Sequence, residues 1–453
     1  MDLPINRNPP EVMHVDMNAC FARAEQQAHP LWRNRPLGVV PVDSPGGCVI
    51  SPSYELKALG AKTAMRIRDV RMLSPNVILK QSDPPLYREI HRKFNRIFRD
   101  YSPDTVPKSI DEAVISLHGC PALKRKTMEE IGYELKARVK KEIGPWMLVN
   151  VGIGCNAWQA KTAAGLHKPD GLDRIDHTNL RGVLSALQLT DLCGINVRYQ
   201  ARLNEFGVQT PLEFLDADPG YLCRGPFRSI EGYYWYRRLR GYEEEGYVRE
   251  RKSFGNSVTL DKPVYPVTTL MGVIQMLSLK ASTRMRREGF GAHVVQLSLL
   301  YGDGTWFRKH RRMEAPAYTV ADVFRSGLLL SNSQRGGDGK HDANKNNAEG
   351  VRKVMVDLYD LQAGASAQAS LFDGLENEAA TGYARDGKDR RITEALDAVN
   401  FKYGQNVLRT GNMVGIEQYI WDRIPFGSFQ DLEALYAEEE AWPVPSELAE
   451  VAD

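Results

Sequence analysis

The order of strand-like and helix-like segments in the first third of the chain limits the fold more than any other sequence feature. Apolar residues that alternate predict strands, and apolar residues at helical spacing predict helices. The predicted elements are, in order, a strand at 12–17, a helix at 85–103, a short strand near Thr105, a strand at 113–117, a helix opened by the capping box of Thr127 and Glu130, and a strand at 147–153. This is the order of a split βαβ sheet, as in ferredoxin-like domains, and it predicts an α+β fold. We expect the first and third strands to be antiparallel neighbours.

Three carboxylates lie where those two strands should meet. Asp16 is near the end of the first strand, and Asp111 and Glu112 precede the apolar run of the third. Burying a carboxylate is costly unless a positive partner compensates it, and adjacent carboxylates repel each other. Hard divalent cations prefer oxygen ligands, and two ions about 3.5–4 Å apart support an in-line phosphoryl displacement. The three acids therefore predict a divalent-metal site.

Length and composition indicate a globular protein of several domains. The 453 residues are too many for one core and predict roughly three or four domains. The hydrophobic fraction of 42% and charged fraction of 26% are those of soluble proteins. No stretch approaches the ~20 apolar residues of a membrane span, and the first residues lack a signal-peptide pattern, so we expect a cytoplasmic protein without a membrane partner. The six cysteines contain no C-x-x-C pair and suggest neither a zinc site nor a disulfide framework.

Charge is distributed unevenly along the chain. The segment 251–330 contains 12 Lys and Arg against 5 Asp and Glu, whereas beyond Arg423 there are eight acids and no basic residue. The basic clusters at 282–289 and 307–312 alternate with strand-like runs, which suits a sheet laid along a phosphate backbone. Solvated charged faces are the alternative interpretation, but two clusters in one segment favour nucleic acid.

Four motifs resemble, in order and spacing, those of the Y-family translesion DNA polymerases: HVDMNACFARAE (14–25), CVISPSYELKALGAK (48–62), SIDEA (109–113) and VGIGCNAWQAKTAA (151–164). The resemblance implies a multidomain right-hand polymerase with a ferredoxin-like palm, small fingers, a helix-hairpin-helix thumb and an α/β little finger. The implied boundaries are palm 1–20 and 83–175, fingers 21–82, thumb 176–245, little finger 246–364, and a C-terminal tail, 365–453, with a small helical region.

The resemblance also implies roles for residues of the palm. Asp16, Asp111 and Glu112 match the catalytic metal-binding acids, and Met17 matches the position whose backbone carbonyl ligates metal. The implied cofactor is two Mg²⁺ ions, for which Mn²⁺ substitutes. Phe21 matches the steric gate that stacks under the sugar and excludes a 2′-hydroxyl; the alternative is an ordinary core phenylalanine.

Four more residues match positions that hold the nucleotide triphosphate: Ser51, Tyr54, Lys57 and Lys161. Hydroxyls and cations suit charged oxygens. Without the resemblance, Lys161 would be interpreted as a solvated helix residue.

Three departures from the family pattern stand out. Lys57 replaces the arginine of many members, which turns a bidentate phosphate contact into a point charge. Asn196 replaces the second glycine of the thumb hairpin; because Asn tolerates positive φ, we expect the backbone amides there to reach a DNA phosphate. The polar, Gly-rich stretch 332–350 is predicted to be a disordered loop.

In the tail, Gln368, Leu371 and Phe372 resemble the bacterial peptide that docks in a pocket of the sliding clamp. The segment follows a Gly/Ala-rich spacer, so it is expected to be exposed. The alternative is that Leu371 and Phe372 cover the tail, where 392–404 is predicted to form an amphipathic helix.

The function implied is template-directed DNA synthesis past damaged template. The implied partners are primer-template DNA, dNTP, the sliding clamp and accessory mutagenesis proteins. Two alternatives are a non-catalytic family member acting as a DNA-bound scaffold, in which the acids are typically lost, and a palm-type nucleotidyl cyclase, which has no need of a thumb or a basic DNA-binding domain.

Overall fold

The computed structural model describes residues 3–43, 47–243, 251–264, 267–332, 350–363, 380–403, 407–408, 411–413 and 415–416. The chain divides into two compact units, and their described residues lie within 3–243 and within 251–416. None of the helices in these ranges has the length and apolar character that crossing a membrane requires.

A five-stranded sheet organises the first unit. Its order is β5-β6-β1-β7-β8, with bounds β1 Val12–Met17, β5 Thr105–Pro107, β6 Glu112–Ser116, β7 Val149–Gly154 and β8 Leu172–Ile175. The strand β1 is antiparallel to both β6 and β7, which confirms the predicted pairing of the first and third strands. The strand β8 pairs parallel with β7 and was not predicted, because LDRI is short and half charged.

The two faces of this sheet differ in how closely helices approach. Helices α4 (Pro84–Arg99) and α5 (Met128–Glu142) share one core with the face of Met13, Val15 and Met17. The capping box of Thr127 and Glu130 opens α5, as predicted. On the other face, α6 (Ala157–Leu166) lies so close that a Cβ on Gly152 would be 2.0 Å from the Ala160 carbonyl oxygen. Glycine at 152 therefore brings α6 onto the face that carries His14 and Asp16.

A smaller sheet follows α1 (Cys20–Ala28) in the chain. It consists of β2 (Leu37–Val40), β3 (Ser51–Pro52) and β4 (Ile78–Gln81), in the order β3-β2-β4. Helices α2 (Tyr54–Ala58) and α3 (Ile67–Leu73) complete it. A separate small core holds these elements together: Val40, Val49, Leu56, Ala61, Ile67 and Val70.

The described residues of the first unit that follow β8 are mainly helical. These helices are α7 (Leu180–Ser185), α8 (Val197–Glu205), α9 (Pro211–Asp216), α10 (Pro219–Arg224) and α11 (Glu231–Leu239), packed around Trp235 and Phe214. The expectation that Asn196 uses a positive φ is wrong. Asn196 has φ −94° and caps α8, where its side-chain oxygen accepts hydrogen bonds from the amides of Arg198 and Tyr199. Gly194, at φ 103°, supplies the left-handed turn.

A four-stranded antiparallel sheet forms the second unit. Its order is β11-β10-β12-β9, with bounds β9 Ser253–Val264, β10 Phe290–Tyr301, β11 Trp306–Ala317 and β12 Val351–Ala363. Helices α12 (Val267–Arg287) and α13 (Val320–Asn332) share a core with the sheet. Helix α14 (Ala380–Tyr403) is bound to α12 by a bidentate ion pair between Arg286 and Asp397, with N···O distances of 2.7 and 2.9 Å.

Two predicted features lie outside the described residues. They are the clamp-binding residues Gln368, Leu371 and Phe372, and, apart from its two end residues, the loop 332–350.

Candidate active site

The three predicted acids lie at one edge of the five-stranded sheet. Asp16 is paired in register with Glu112, the first residue of β6. The Met17 amide donates to the Asp111 carbonyl oxygen at 2.8 Å, so β1 ends where β6 begins. Their convergence follows from the antiparallel pairing, because the end of one strand then meets the start of the other.

Glu112 is held by two cationic or polar side chains. Lys161 Nζ donates to Glu112 Oε2 at 2.7 Å, and His14 Nε2 lies 3.2 Å from the same oxygen. Burial raises the pKa of Glu112, but the hydrogen bonds with His14 and Lys161 outweigh it and lower the pKa to about 2. The carboxyl is therefore ionised at neutral pH.

Asp111 and Asp16 have different surroundings. Burial raises the pKa of Asp111, the hydrogen bond from Ser109 Oγ at 2.5 Å opposes that change, and the charges of Asp16 and Glu112 raise the pKa further. Asp16 forms an ion pair with Lys168. The negative charge at this edge is thus concentrated, and two lysines compensate it.

The donor set suits a hard divalent cation, since carboxylate oxygens are the ligands such ions prefer. Among the described residues, no three His, Cys, Asp or Glu side chains form a group that could hold a metal ion. Lys168 and Lys161 instead form ion pairs with Asp16 and Glu112. The carboxylates therefore have the chemistry to bind a divalent ion, and in this structure two of them are paired with lysines.

Phe21 lies on α1 with only 5% of its surface exposed. Its ring stacks on Tyr87, with centroids 4.4 Å apart, and Tyr87 donates to Glu25 at 2.7 Å. Phe21 therefore has a packing role, and its role as a steric gate stays a prediction.

Three of the residues predicted to bind the triphosphate, Ser51, Tyr54 and Lys57, lie in β3 and α2. Ser51 is buried, and its Oγ accepts from the Ala22 amide at 3.3 Å. Lys57 Nζ lies 4.6 Å from the Tyr54 ring centroid. Burial raises the pKa of Tyr54 to about 12, and the charge of Asp16 contributes. Burial lowers the pKa of Lys57, the Lys168 charge lowers it further, and the Asp16 charge opposes this change.

Sequence reasoning missed His14 and Lys168. His14 had a usable signal, because it precedes Asp16 by two residues and so shares its face of β1. Lys168 had none, since 152 residues separate it from its partner Asp16.

The second unit presents a row of cations on β11. Most of this strand is exposed, including Arg308, Lys309, His310, Arg311 and Arg312. Of these residues, Arg312 forms an ion pair with Asp360 at 2.5 Å. An exposed basic strand is typical of a surface that binds phosphate backbones.

Three acids at a sheet edge and an exposed basic strand suit an enzyme that transfers nucleotides on a nucleic acid. A model of the impB/mucB/samB family matches residues 15–165, and a model of that family's C-terminal domain matches residues 251–371. The chain belongs to this family, the Y-family DNA polymerases.

Relatives and solved structures agree with that assignment. The chain is 28% identical to DNA polymerase IV of Pelotomaculum thermopropionicum over 87% of this chain and 93% of the relative. It is 26% identical to DNA polymerase IV 1 of Bacillus subtilis over 88% and 92%. A Y-family DNA polymerase chimera has a TM-score of 0.63 at 21% identity and covers 78% of this chain and 99% of its own. The insertion ternary complex of Dbh DNA polymerase has a TM-score of 0.50 at 22% identity, with 77% and 98% covered. These structural likenesses show the fold.

Proposed function

We propose that this chain is a template-directed DNA polymerase that performs translesion synthesis. It transfers a deoxynucleotide from dNTP to the primer 3′-hydroxyl and releases pyrophosphate. The observation that carries the proposal is the convergence of Asp16, Asp111 and Glu112 at one sheet edge of a chain that belongs to this family. A scaffold without catalysis would not need all three acids.

The acids are the proposed ligands of two Mg²⁺ ions, with Mn²⁺ as the substitute and with the Met17 carbonyl as a further ligand. When bound, such ions activate an attacking hydroxyl and stabilise the leaving oxygen of a phosphoryl transfer. The chain's own contribution is to fix the carboxylates: Ser109 orients Asp111, and His14 orients Glu112.

The nucleotide site is proposed to use Ser51, Tyr54, Lys57 and Lys161 for the triphosphate and Phe21 for the sugar. Lys161 donates to Glu112, and the triphosphate supplies a stronger anionic partner for the same ammonium. When the Lys161 ammonium binds the triphosphate, its hydrogen bond to Glu112 breaks, so nucleotide binding frees the Glu112 carboxylate.

Primer-template DNA is proposed to bind along β11, whose exposed cations neutralise phosphates. The domain boundaries stated for palm, fingers, thumb, little finger and tail are part of the proposal, as are a cytoplasmic location and accessory mutagenesis proteins. The Asn196 side chain already accepts hydrogen bonds from two amides at the start of α8. Fewer free amides are therefore left there to bind a DNA phosphate.

A primer-extension assay with Mg²⁺ and dNTPs tests the function. We expect each added nucleotide to follow the template and extension to continue past a lesion. DNA binding without extension would support the scaffold alternative. Cyclic nucleotide formation from a free nucleotide, without a primer, would support the cyclase.

The sliding clamp is the proposed partner of Gln368, Leu371 and Phe372, on the sequence pattern alone. Replacing Leu371 and Phe372 by Ala should leave distributive synthesis on short primers unchanged and remove stimulation by a loaded clamp, because tethering raises the effective concentration at the primer end. Loss of basal activity or a clearly lower melting temperature in the double variant would place the pair in a packed interface instead.

A further inference from the structure

A buried arginine, Arg23, lies beside the proposed nucleotide site and has no assigned role. It follows Phe21 by two residues on α1, and only 8% of it is exposed. Its guanidinium carbon lies 5.5 Å from the Tyr54 ring centroid and 5.1 Å from the Trp146 ring centroid. Contacts of a guanidinium with aromatic faces are attractive, so the two rings hold the cation in place.

Trp146 is itself fixed. Its indole Nε1–H donates to Gln26 at 3.0 Å, and its backbone amide donates to Gln27 at 2.9 Å. Gln26 also donates to Glu55 on α2 at 3.2 Å, so the same glutamine ties the α2 segment to the tryptophan. The ring that Arg23 contacts is therefore held in place by hydrogen bonds, and one of the residues that hold it also contacts α2.

Arg23 has no anionic partner in the part of the chain that the structure describes. Within the described ranges no carboxylate pairs with it, and its Nε is buried without a hydrogen-bond partner. A buried charge without a counter-charge is costly, and aromatic faces compensate only part of that cost. The contrast is Arg33, which contacts the same tryptophan at 5.3 Å but donates to two backbone carbonyls.

Two other cations, Lys57 and Lys168, lie close enough to Arg23 or to each other for their charges to interact. Burial lowers the pKa of Lys57, the charges of Lys168 and Arg23 lower it further, and the charge of Asp16 opposes them. Lys168 is paired with Asp16, whereas Arg23 brings a further positive charge without a matching acid. Like charges are held together at an energetic cost unless a polyanion joins them.

We propose that Arg23 binds a phosphate group of the incoming nucleotide and supplies the guanidinium that Lys57 does not. The inference rests on the proposed function and adds a residue to that site. A guanidinium forms two parallel hydrogen bonds with phosphate oxygens, which the ammonium of Lys57 does not. The chemistry recognised is a phosphate group, and a DNA backbone phosphate is its other possible source.

The test compares the wild type with Arg23→Gln, Arg23→Lys and the matched control Arg33→Gln. The measurements are kcat and KM for dNTP at saturating primer-template, the Ki of inorganic tripolyphosphate, the Kd of primer-template and the melting temperature. We expect Arg23→Gln to raise the dNTP KM and the tripolyphosphate Ki by the same factor, roughly tenfold or more. The primer-template Kd should not change, Arg23→Lys should recover part of the loss, and Arg33→Gln should match the wild type.

Three results would overturn the inference. One is an unchanged KM and Ki in Arg23→Gln. Another is an increase only in the primer-template Kd, which would assign the guanidinium to a DNA phosphate. The third is an equal loss in Arg23→Lys and Arg23→Gln accompanied by a lower melting temperature, which would make Arg23 a packing residue. Should the wild type not extend primers at all, the proposed function fails, while tripolyphosphate binding measured by calorimetry still tests Arg23.

Discussion

The charged residues at the acid edge of the five-stranded sheet and those on the basic strand β11 differ in their surroundings. At the acid edge each carboxylate has a partner from elsewhere in the chain or the adjacent loop: Asp16 with Lys168, Asp111 with Ser109, and Glu112 with His14 and Lys161. On β11 the cations are exposed to solvent. Reacting groups need fixed geometry, whereas neutralising a phosphate backbone needs only charge within reach. The difference predicts that single substitutions act strongly at the acid edge and weakly on β11.

The largest expected effect is at the acid edge. Asp16→Ala or Glu112→Ala should lower nucleotide incorporation by roughly a thousandfold or more, because each variant loses a proposed metal ligand. Primer-template affinity, measured by fluorescence anisotropy, should stay close to that of the wild type. Asp100→Ala, which removes an exposed acid paired with Arg138, is the control and should be fully active. Activity in both acid variants would remove the distinction between the two regions.

Stability at low pH should also depend on the interior of the first unit. His91 on α4 is buried, its Nδ1 lies 2.8 Å from the Ile110 carbonyl oxygen, and Asn95 Nδ2 lies 2.7 Å from its Nε2. Burial lowers the pKa of His91 to about 4 from its ordinary value of 6.5. Between these values the unfolded chain binds more protons than the folded one, so stability falls as pH falls.

The difference corresponds to about 3 kcal/mol, lost between pH 6.5 and pH 4. Thermal melting as a function of pH should show a shallower slope for His91→Gln than for the wild type. His310→Gln on exposed β11 should keep the wild-type slope. Equal slopes for wild type and His91→Gln would mean that His91 is not held neutral.

A smaller effect is expected on the choice between ribonucleotides and deoxyribonucleotides. If Phe21 is the gate, Phe21→Ala should reduce discrimination against ribonucleotides by at least roughly tenfold, since a steric block is removed, without changing which base is selected. The ratio of rNTP to dNTP incorporation measures this. Tyr87→Ala removes the same ring stack and is the control; a similar ratio change in both variants would assign the effect to packing.

The smallest effect should be on β11. Replacing Arg308 and Arg312 by Gln should weaken primer-template binding several-fold and reduce the slope of log affinity against log salt by about 2, as expected for two lost phosphate contacts. Arg325→Gln, on α13, should leave the slope unchanged. If the double variant binds as the wild type does at every salt concentration, β11 is a solvated face.

The sequence predicted what local patterns and strand pairing determine. The positions of Asp16, Asp111 and Glu112 followed from antiparallel neighbours, and the cap of α5 followed from Thr127 and Glu130. It did not predict the Lys168 partner of Asp16 or the contact of Arg23 with Trp146, because both depend on residues more than a hundred positions away along the chain. Asn196 was interpreted through the glycine it replaces, and its capping side chain proved more important than its tolerance of positive φ.

The central claim is that the acid edge carries out nucleotidyl transfer. Single-nucleotide incorporation by wild type and Asp111→Ala, each saturated with primer-template in the presence of Mg²⁺, tests it most directly. We predict template-directed incorporation by the wild type and none by Asp111→Ala, with equal primer-template affinity. Near-normal incorporation by Asp111→Ala would contradict the account.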